Sequence, residues 1–278
     1  MNPSQSLAGA PSAPAKKTPV RSGISRDTLL VIAVTLAGFG IWELAVRWLQ
    51  VPQFILPSPM AIAARVAQDF TSGLIFPHFL QTLVEVLAGF LLATVIGVGL
   101  GTLVALVRTV ERVVYPFVLA LQTVPKVAVA PLFIIWFGFG IEPKIVTAAV
   151  IAFFPILVNV IAGLKATDPR RLLLMRALKA GRWTTFCKVQ LPGMLPYLFA
   201  GLEVGIIFAV IGAIVGEFIG ASLGLGSLVI QRQAGVDVAG VFSVLFYLSF
   251  MGVALNLALR WVARRWVFWE RPTDAVSA

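Results

Sequence analysis

Charge is what this chain has least of. Only 12% of its 278 residues are Asp, Glu, Lys or Arg, while 59% are hydrophobic. A soluble domain carries roughly 25% charged residues, so water cannot face most of this surface. There is one cysteine, Cys187, which excludes an intrachain disulfide. There is one histidine, His78, so no His/Cys metal cluster fits within a single chain, although carboxylate sites stay open. Aspartate occurs singly, at Asp27, Asp69, Asp168, Asp237 and Asp274. That scatter argues against the clustered acid–base or metal chemistry of an integral-membrane enzyme. No G-x-x-x-x-G-K-[ST] phosphate loop occurs, so ATP is not bound by that route. No catalytic residue, metal or cofactor is expected on this chain.

What it has is long apolar runs. Each of six is about 20 residues, the length needed to cross roughly 30 Å of hydrocarbon. They cover Leu29–Leu49, Thr82–Val107, Val113–Phe137, Ile145–Leu164, Leu195–Ile219 and Val241–Val262. The first is too long for a signal peptide and ends in Trp42, Arg47 and Trp48, so it reads as a retained span. The third is interrupted by Pro125 and Pro131. Gly89, Gly97 and Gly101 put small residues at a spacing that favours close helix contact in the membrane. Between the first two runs, Ser58 and Pro59 predict the start of a short interfacial helix. The fold class is therefore an all-α integral membrane protein of six transmembrane helices. Residues 1–27 predict a disordered tail, 28–266 the membrane domain and 267–278 a second tail.

The net charge of +10 invites a nucleic-acid reading. The basic residues lie between the apolar runs, where a membrane protein places them, so no nucleic-acid partner is expected. With the N-terminus in the cytoplasm, 17 of the 22 Lys and Arg fall on the cytoplasmic side. Both termini are then inside. The three tryptophans Trp261, Trp266 and Trp269 fit an interfacial belt.

Ionisable groups within the apolar runs are costly and tend to face protein or water. Glu43, Glu85 and Glu203 read as packing or interface groups. Lys126 and Glu217 are candidates for a pathway wall, with Gln122 and Asn159 beside them. Lys126 follows the helix-breaking Pro125. An ion pair between Lys126 and Glu217 is one expectation. The Gly-rich run from Gly220 to Ser227 reads as a loop or re-entrant turn rather than an anion nest.

The segment 165–194 is the unusual one. It is too long for a tight turn and too basic for lipid. Asp168 predicts an N-cap with Pro169 at the first helical position. No strong breaker follows before Gly181, and Pro192 is expected to end the second of two short helical pieces. Leu172, Leu173, Leu174, Met175, Leu178, Trp183 and Phe186 spread around the helix instead of forming one stripe. Either the segment lies in the interface or it docks into a groove on another protein.

Its run from Arg176 to Pro196 resembles the EAA loop of binding-protein-dependent ABC permeases, which reads E-A-A-x3-G-x9-I-x-L-P. With Leu191 and Pro192 as the anchor, Val189 takes the Ile position and Lys179 the Gly position. Leu173, Leu174 and Met175 take the place of E-A-A. The runs Tyr115–Gly140, Phe153–Leu164 and Ala209–Val229 are similar to the nitrate/sulfonate/taurine-type permeases and to importers of pyrimidine precursors and riboflavin. The resemblance covers Leu56 to Trp266.

That resemblance implies a type I importer permease in a bacterial inner membrane, working by alternating access. Its implied partners are two ABC ATPase subunits carrying ATP-Mg, a second permease subunit, a periplasmic solute-binding protein and membrane lipid. Arg176, Lys179, Gly181, Arg182, Leu191 and Pro192 would form the ATPase-coupling element. Gly181 is expected to supply the turn that Lys179 displaces. The solute would be a small anion such as a sulfonate, nitrate or carboxylate, or a vitamin or pyrimidine precursor. The competing reading is a stand-alone secondary transporter or channel. Many secondary carriers contain internal repeats, and none is clear here.

Overall fold

The computed structural model describes residues 26–269, and every regular element among them is helical. Helix α1 spans Arg26–Trp48. Helix α2, Pro59–Thr71, begins where the Ser58 side chain accepts the Ala61 N–H and Pro59 takes the first turn. At 13 residues it is too short to cross a bilayer. Helix α3 spans Ile75–Leu106. Helices α4, Arg108–Thr123, and α5, Ala130–Phe137, are joined through a 3-10 turn at Lys126–Val129. Helix α6, Glu142–Lys165, carries Glu142 in its first turn and Lys165 in its last, both complementing the helix dipole. Helix α7 spans Pro169–Ala177 and α8 spans Arg182–Thr185. A π turn at Phe186–Gln190 then leads into α9, Leu191–Phe218. Helices α10, Leu225–Ala234, and α11, Val238–Trp266, are the last among the described residues.

Five of these helices are long and apolar enough to cross a membrane, and the α4–α5 pair completes a sixth span with an 88° bend. The two prolines marked the interruption. The bend itself follows from extended backbone at Val124 and Pro125, which ends α4 outright. The tail predicted for 1–27 lies outside the described residues except for Arg26 and Asp27, which already belong to α1. The tail predicted for 267–278 lies outside them beyond Trp269.

Helix α6 is the core of the bundle, sandwiched between α3 and α9. Lipid tails are as apolar as leucine, so burial from water cannot drive this association. Close packing must. Small residues permit it. A Cβ added at Gly89 of α3 would lie 2.6 Å from the Ala148 Cβ of α6, and one at Gly212 of α9 would lie 2.6 Å from the Ala148 Cα. Farther along, Gly97 faces Ile156 and Gly101 faces Val160. The glycine row on α3 is thus the seat of α6. Ile156, Leu157 and Val160 fill the space between and are fully buried.

Candidate functional site

Three polar regions stand out against this apolar bundle. The first is a cavity of about 270 Å³ beside the α4–α5 break, lined by Gln122, Lys126, Phe154, Asn159 and Phe208 among others. Because α4 stops at Thr123, its last carbonyls lack helical partners. The Lys126 ammonium donates to one of them, the Gln122 carbonyl, at 3.1 Å. It also sits 4.6 Å from the centroid of the Phe154 ring, in cation–π range. Asn159 donates its side-chain N–H to the Pro155 carbonyl at 2.8 Å, a bond within α6 rather than between helices. The cavity therefore has one cation, two amides and two aromatic rings.

Glu217 is elsewhere. No ion pair joins it to Lys126 among the described residues. Its carboxyl is taken by the Thr82 hydroxyl of α3 at 2.6 Å and by the Gly226 N–H. It closes a second region, a buried latch at the end of the bundle where α9 finishes. Here His78 Nδ1 meets both the N–H and the carbonyl of Gly224, and Thr82 accepts the Leu225 N–H at 2.8 Å. Gly224 has φ +127°, and a Cβ there would collide with the Glu217 carboxyl. The run from Gly220 is thus a turn feeding α10. One turn along α3, Glu85 accepts from Lys144 of α6 at 3.1 Å and from Gln81 at 2.8 Å.

The latch continues into a charged knot. Arg232 of α10 grips Asp69 of α2 with two N–H groups, at 2.6 and 2.7 Å, and donates to the Gly240 carbonyl. Ser243 of α11 donates to the same carboxylate at 2.6 Å. Arg65 reaches across to Asp237 at 2.6 Å. Burial by itself would push the Asp69 carboxyl up. The bonds from Arg232 and Ser243, with the charges of Arg232 and Arg65, outweigh it and hold the carboxyl below its ordinary value. Sequence reasoning missed His78, Thr82, Lys144, Asp69 and Arg232 as one assembly. The signal within reach was the presence of buried-type positions occupied by polar residues in α3 and α10.

The third region is the elbow between α6 and α9. Asp168 caps α7 by accepting the Arg170 N–H, as expected. The helix does not run on toward Gly181. It ends at Ala177, and Lys179 adopts φ +53°. The Ala180 N–H bonds the Met175 carbonyl and the Lys179 N–H bonds the Arg176 carbonyl, each at 2.9 Å. That pair of bonds is a Schellman closure with Lys179 in the position usually given to glycine. Gly181 has φ −63° and caps α8, so it does not supply the turn. Nor does Pro192 end the second piece. The Leu191 N–H bonds back to the Phe186 carbonyl, and that wider π turn carries the helix through the proline into α9. Arg176, Lys179, Gly181 and Arg182 are exposed, and Leu191 and Pro192 half-buried. Trp183 stacks on Phe186 at 5.8 Å while staying largely exposed, as do Leu173, Leu174 and Leu178.

Residues 93–268 match the family described as "Binding-protein-dependent transport system inner membrane component". The chain belongs to that family. Among relatives of this permease family, the riboflavin transport system permease protein of Chloroflexus aurantiacus is 39% identical over 230 residues, 82% of this chain and 85% of that protein. The formylaminopyrimidine transport permease protein of Halalkalibacterium halodurans is 36% identical over 213 residues, 77% of this chain and 84% of that protein. The MetNI methionine ABC transporter, solved in inward-facing conformations, has the same fold. It superposes with a TM-score of 0.62 at 23% identity, covering 69% of this chain and 96% of that one. The chain is a multi-pass ABC transporter permease of the importer class.

Proposed function

We propose that this permease moves a small solute through the bilayer by alternating access, driven by two separate ATPases that grip the elbow. The observation that carries the reading is the elbow itself. It exposes Leu173, Leu174, Leu178 and Trp183 between Arg176, Lys179 and Arg182. Among the described residues no ion pair engages those three cations. An apolar and basic surface left open outside the membrane suits a protein groove with acidic walls. The second half of the EAA pattern, through Val189, Leu191 and Pro192, falls on the same element.

The solute path runs past the cavity at the α4–α5 break, with a second permease subunit completing its wall. Among the described residues Lys126 is the only charged group lining that cavity, which favours an anion or a solute with an electron-rich ring. Two of the relatives are transport permeases for riboflavin and formylaminopyrimidine, and a compact heteroaromatic or sulfonate-sized solute fits the same reading. A solute-binding protein delivers it at the face opposite the elbow. Both termini lie in the cytoplasm of a bacterial inner membrane, and ATP-Mg resides on the ATPases.

The test is a pull-down of the tagged chain from detergent-solubilised membranes, comparing wild type with a deletion of 171–186. An ATPase bearing the phosphate loop should accompany the wild type and be lost from the deletion. Wild type that captures no ATPase, from cells expressing its partners, would return the stand-alone carrier to first place.

A further inference from the structure

Glu85, Glu217 and Lys144 form a buried cluster that neither the cavity nor the elbow uses. Their exposures are 0%, 1% and 9%. Fully ionised, the three carry one uncompensated negative charge. Burying such a charge is the most unfavourable state open to them. Lys144 answers only one carboxylate, Glu85, through its Oε1.

The hydrogen bonds point the same way. Glu85 Oε1 accepts from both Lys144 and Gln81, while Glu85 Oε2 is buried with no donor. Thr82, which donates to the Glu217 carboxyl, stands one turn before Glu85 on α3, and Lys144, which pairs with Glu85, packs against Gly216, the neighbour of Glu217. Two carboxylates brought together in one buried site with a single cation repel. One proton removes the repulsion, satisfies the orphaned oxygen and brings the cluster to neutrality. Other polar neighbours do not supply it. Thr82 has one hydroxyl proton and two acceptors in reach, the Glu217 carboxyl and the His78 carbonyl. Gly226 contributes its N–H to the other Glu217 oxygen. His78, on α3, is occupied with Gly224.

We propose that Glu85 and Glu217 bind a single proton between them, and that this proton pins the turn from Gly220 to Gly226 onto α3. The turn leads directly to α10, whose Arg232 holds α2 and α11. The proton thus secures the whole latch. Glu217 is a positioning residue in this account.

The experiment is infrared spectroscopy of the full-length chain in lipid nanodiscs at neutral pH, with and without 13C-glutamate labelling. The expected result is one carboxylic acid C=O band that resists deuterium exchange, shifts with the label and disappears in Glu217→Gln. The variants give a second, independent reading. Glu217→Gln places an amide N–H where the proton was and should keep wild-type melting. Glu85→Gln strands Lys144 and should lower the melting temperature, as should Glu217→Ala. Absence of a glutamic acid band in wild type would overturn the proposal without any variant having to fold. So would a band untouched by Glu217→Gln, or Glu217→Gln melting as low as Glu217→Ala.

Discussion

Asp69 and Arg176 are both charged residues just outside membrane-crossing helices, and the chain treats them in opposite ways. Asp69 is buried and receives three hydrogen bonds, from two guanidinium nitrogens of Arg232 and from Ser243. Arg176 is exposed in an elbow whose apolar side chains are also exposed. A charge satisfied inside the chain fixes the fold. A charge left open beside exposed leucines and a tryptophan is available to another protein. The latch thus belongs to the architecture of one subunit, and the elbow to the assembly.

The sharpest way to break that comparison is to remove one charge from each region. Arg232→Leu leaves Asp69 buried beside an apolar side chain. Breaking a buried pair in this way should cost about 3–5 kcal/mol of stability. Arg176→Leu should change stability by less than about 0.5 kcal/mol, as surface substitutions do, while weakening ATPase capture. Thermal unfolding of both variants in detergent, with pull-down of the second, measures the contrast. Equal melting losses would mean that the elbow is structural.

A smaller effect is expected where α9 crosses α6. Gly212→Val puts side-chain atoms where the Ala148 backbone already is. Overpacking at such a crossing costs about 1–3 kcal/mol. The same substitution at Gly181, with open space around its Cβ, should be tolerated. Comparison of folded yield by size-exclusion chromatography separates the two.

Acid should weaken the latch through Asp69. The Asp69 carboxyl is held below its ordinary value of 3.8. A lowered carboxyl stabilises the fold while ionised. That contribution is complete above about 3.8 and disappears as pH falls through the lower native value. Melting temperature should therefore drop in this acid window, and Asp69→Asn should remove that drop while lowering stability at neutral pH. An unchanged acid limb in Asp69→Asn would assign it to another carboxylate.

The spans were legible in the sequence because hydropathy over 20 residues is a local quantity. So were the caps at Ser58 and Asp168, whose partners lie two or three residues away. The latch was not. Asp69 and Arg232 are 163 positions apart and His78 and Gly224 are 146 apart, and no periodicity reports which distant polar groups meet. Glu217 illustrates the limit. In the sequence it is a pathway-wall candidate beside Lys126, whereas its partners Thr82 and Gly226 depend on how α3 and α9 stack against α6. The α4–α5 break was announced by Pro125, whereas its 88° bend depends on two ψ angles that residue type leaves open.

The elbow turn offers the finest test, because there residue type and position disagree. Glycine is the usual occupant of a left-handed helix end, which drew attention to Gly181. The two closing bonds from Ala180 and Lys179 instead place the left-handed residue at the second position after Ala177, where Lys179 stands. A non-glycine residue in that conformation costs about 1–2 kcal/mol. Lys179→Gly removes this strain and adds chain entropy to the unfolded state, so the net gain should be no more than about 1 kcal/mol. The variant should raise the melting temperature slightly and leave ATPase capture intact if the turn, and not the lysine charge, is what the partner requires. Loss of capture with a raised melting temperature would make the Lys179 ammonium itself a contact.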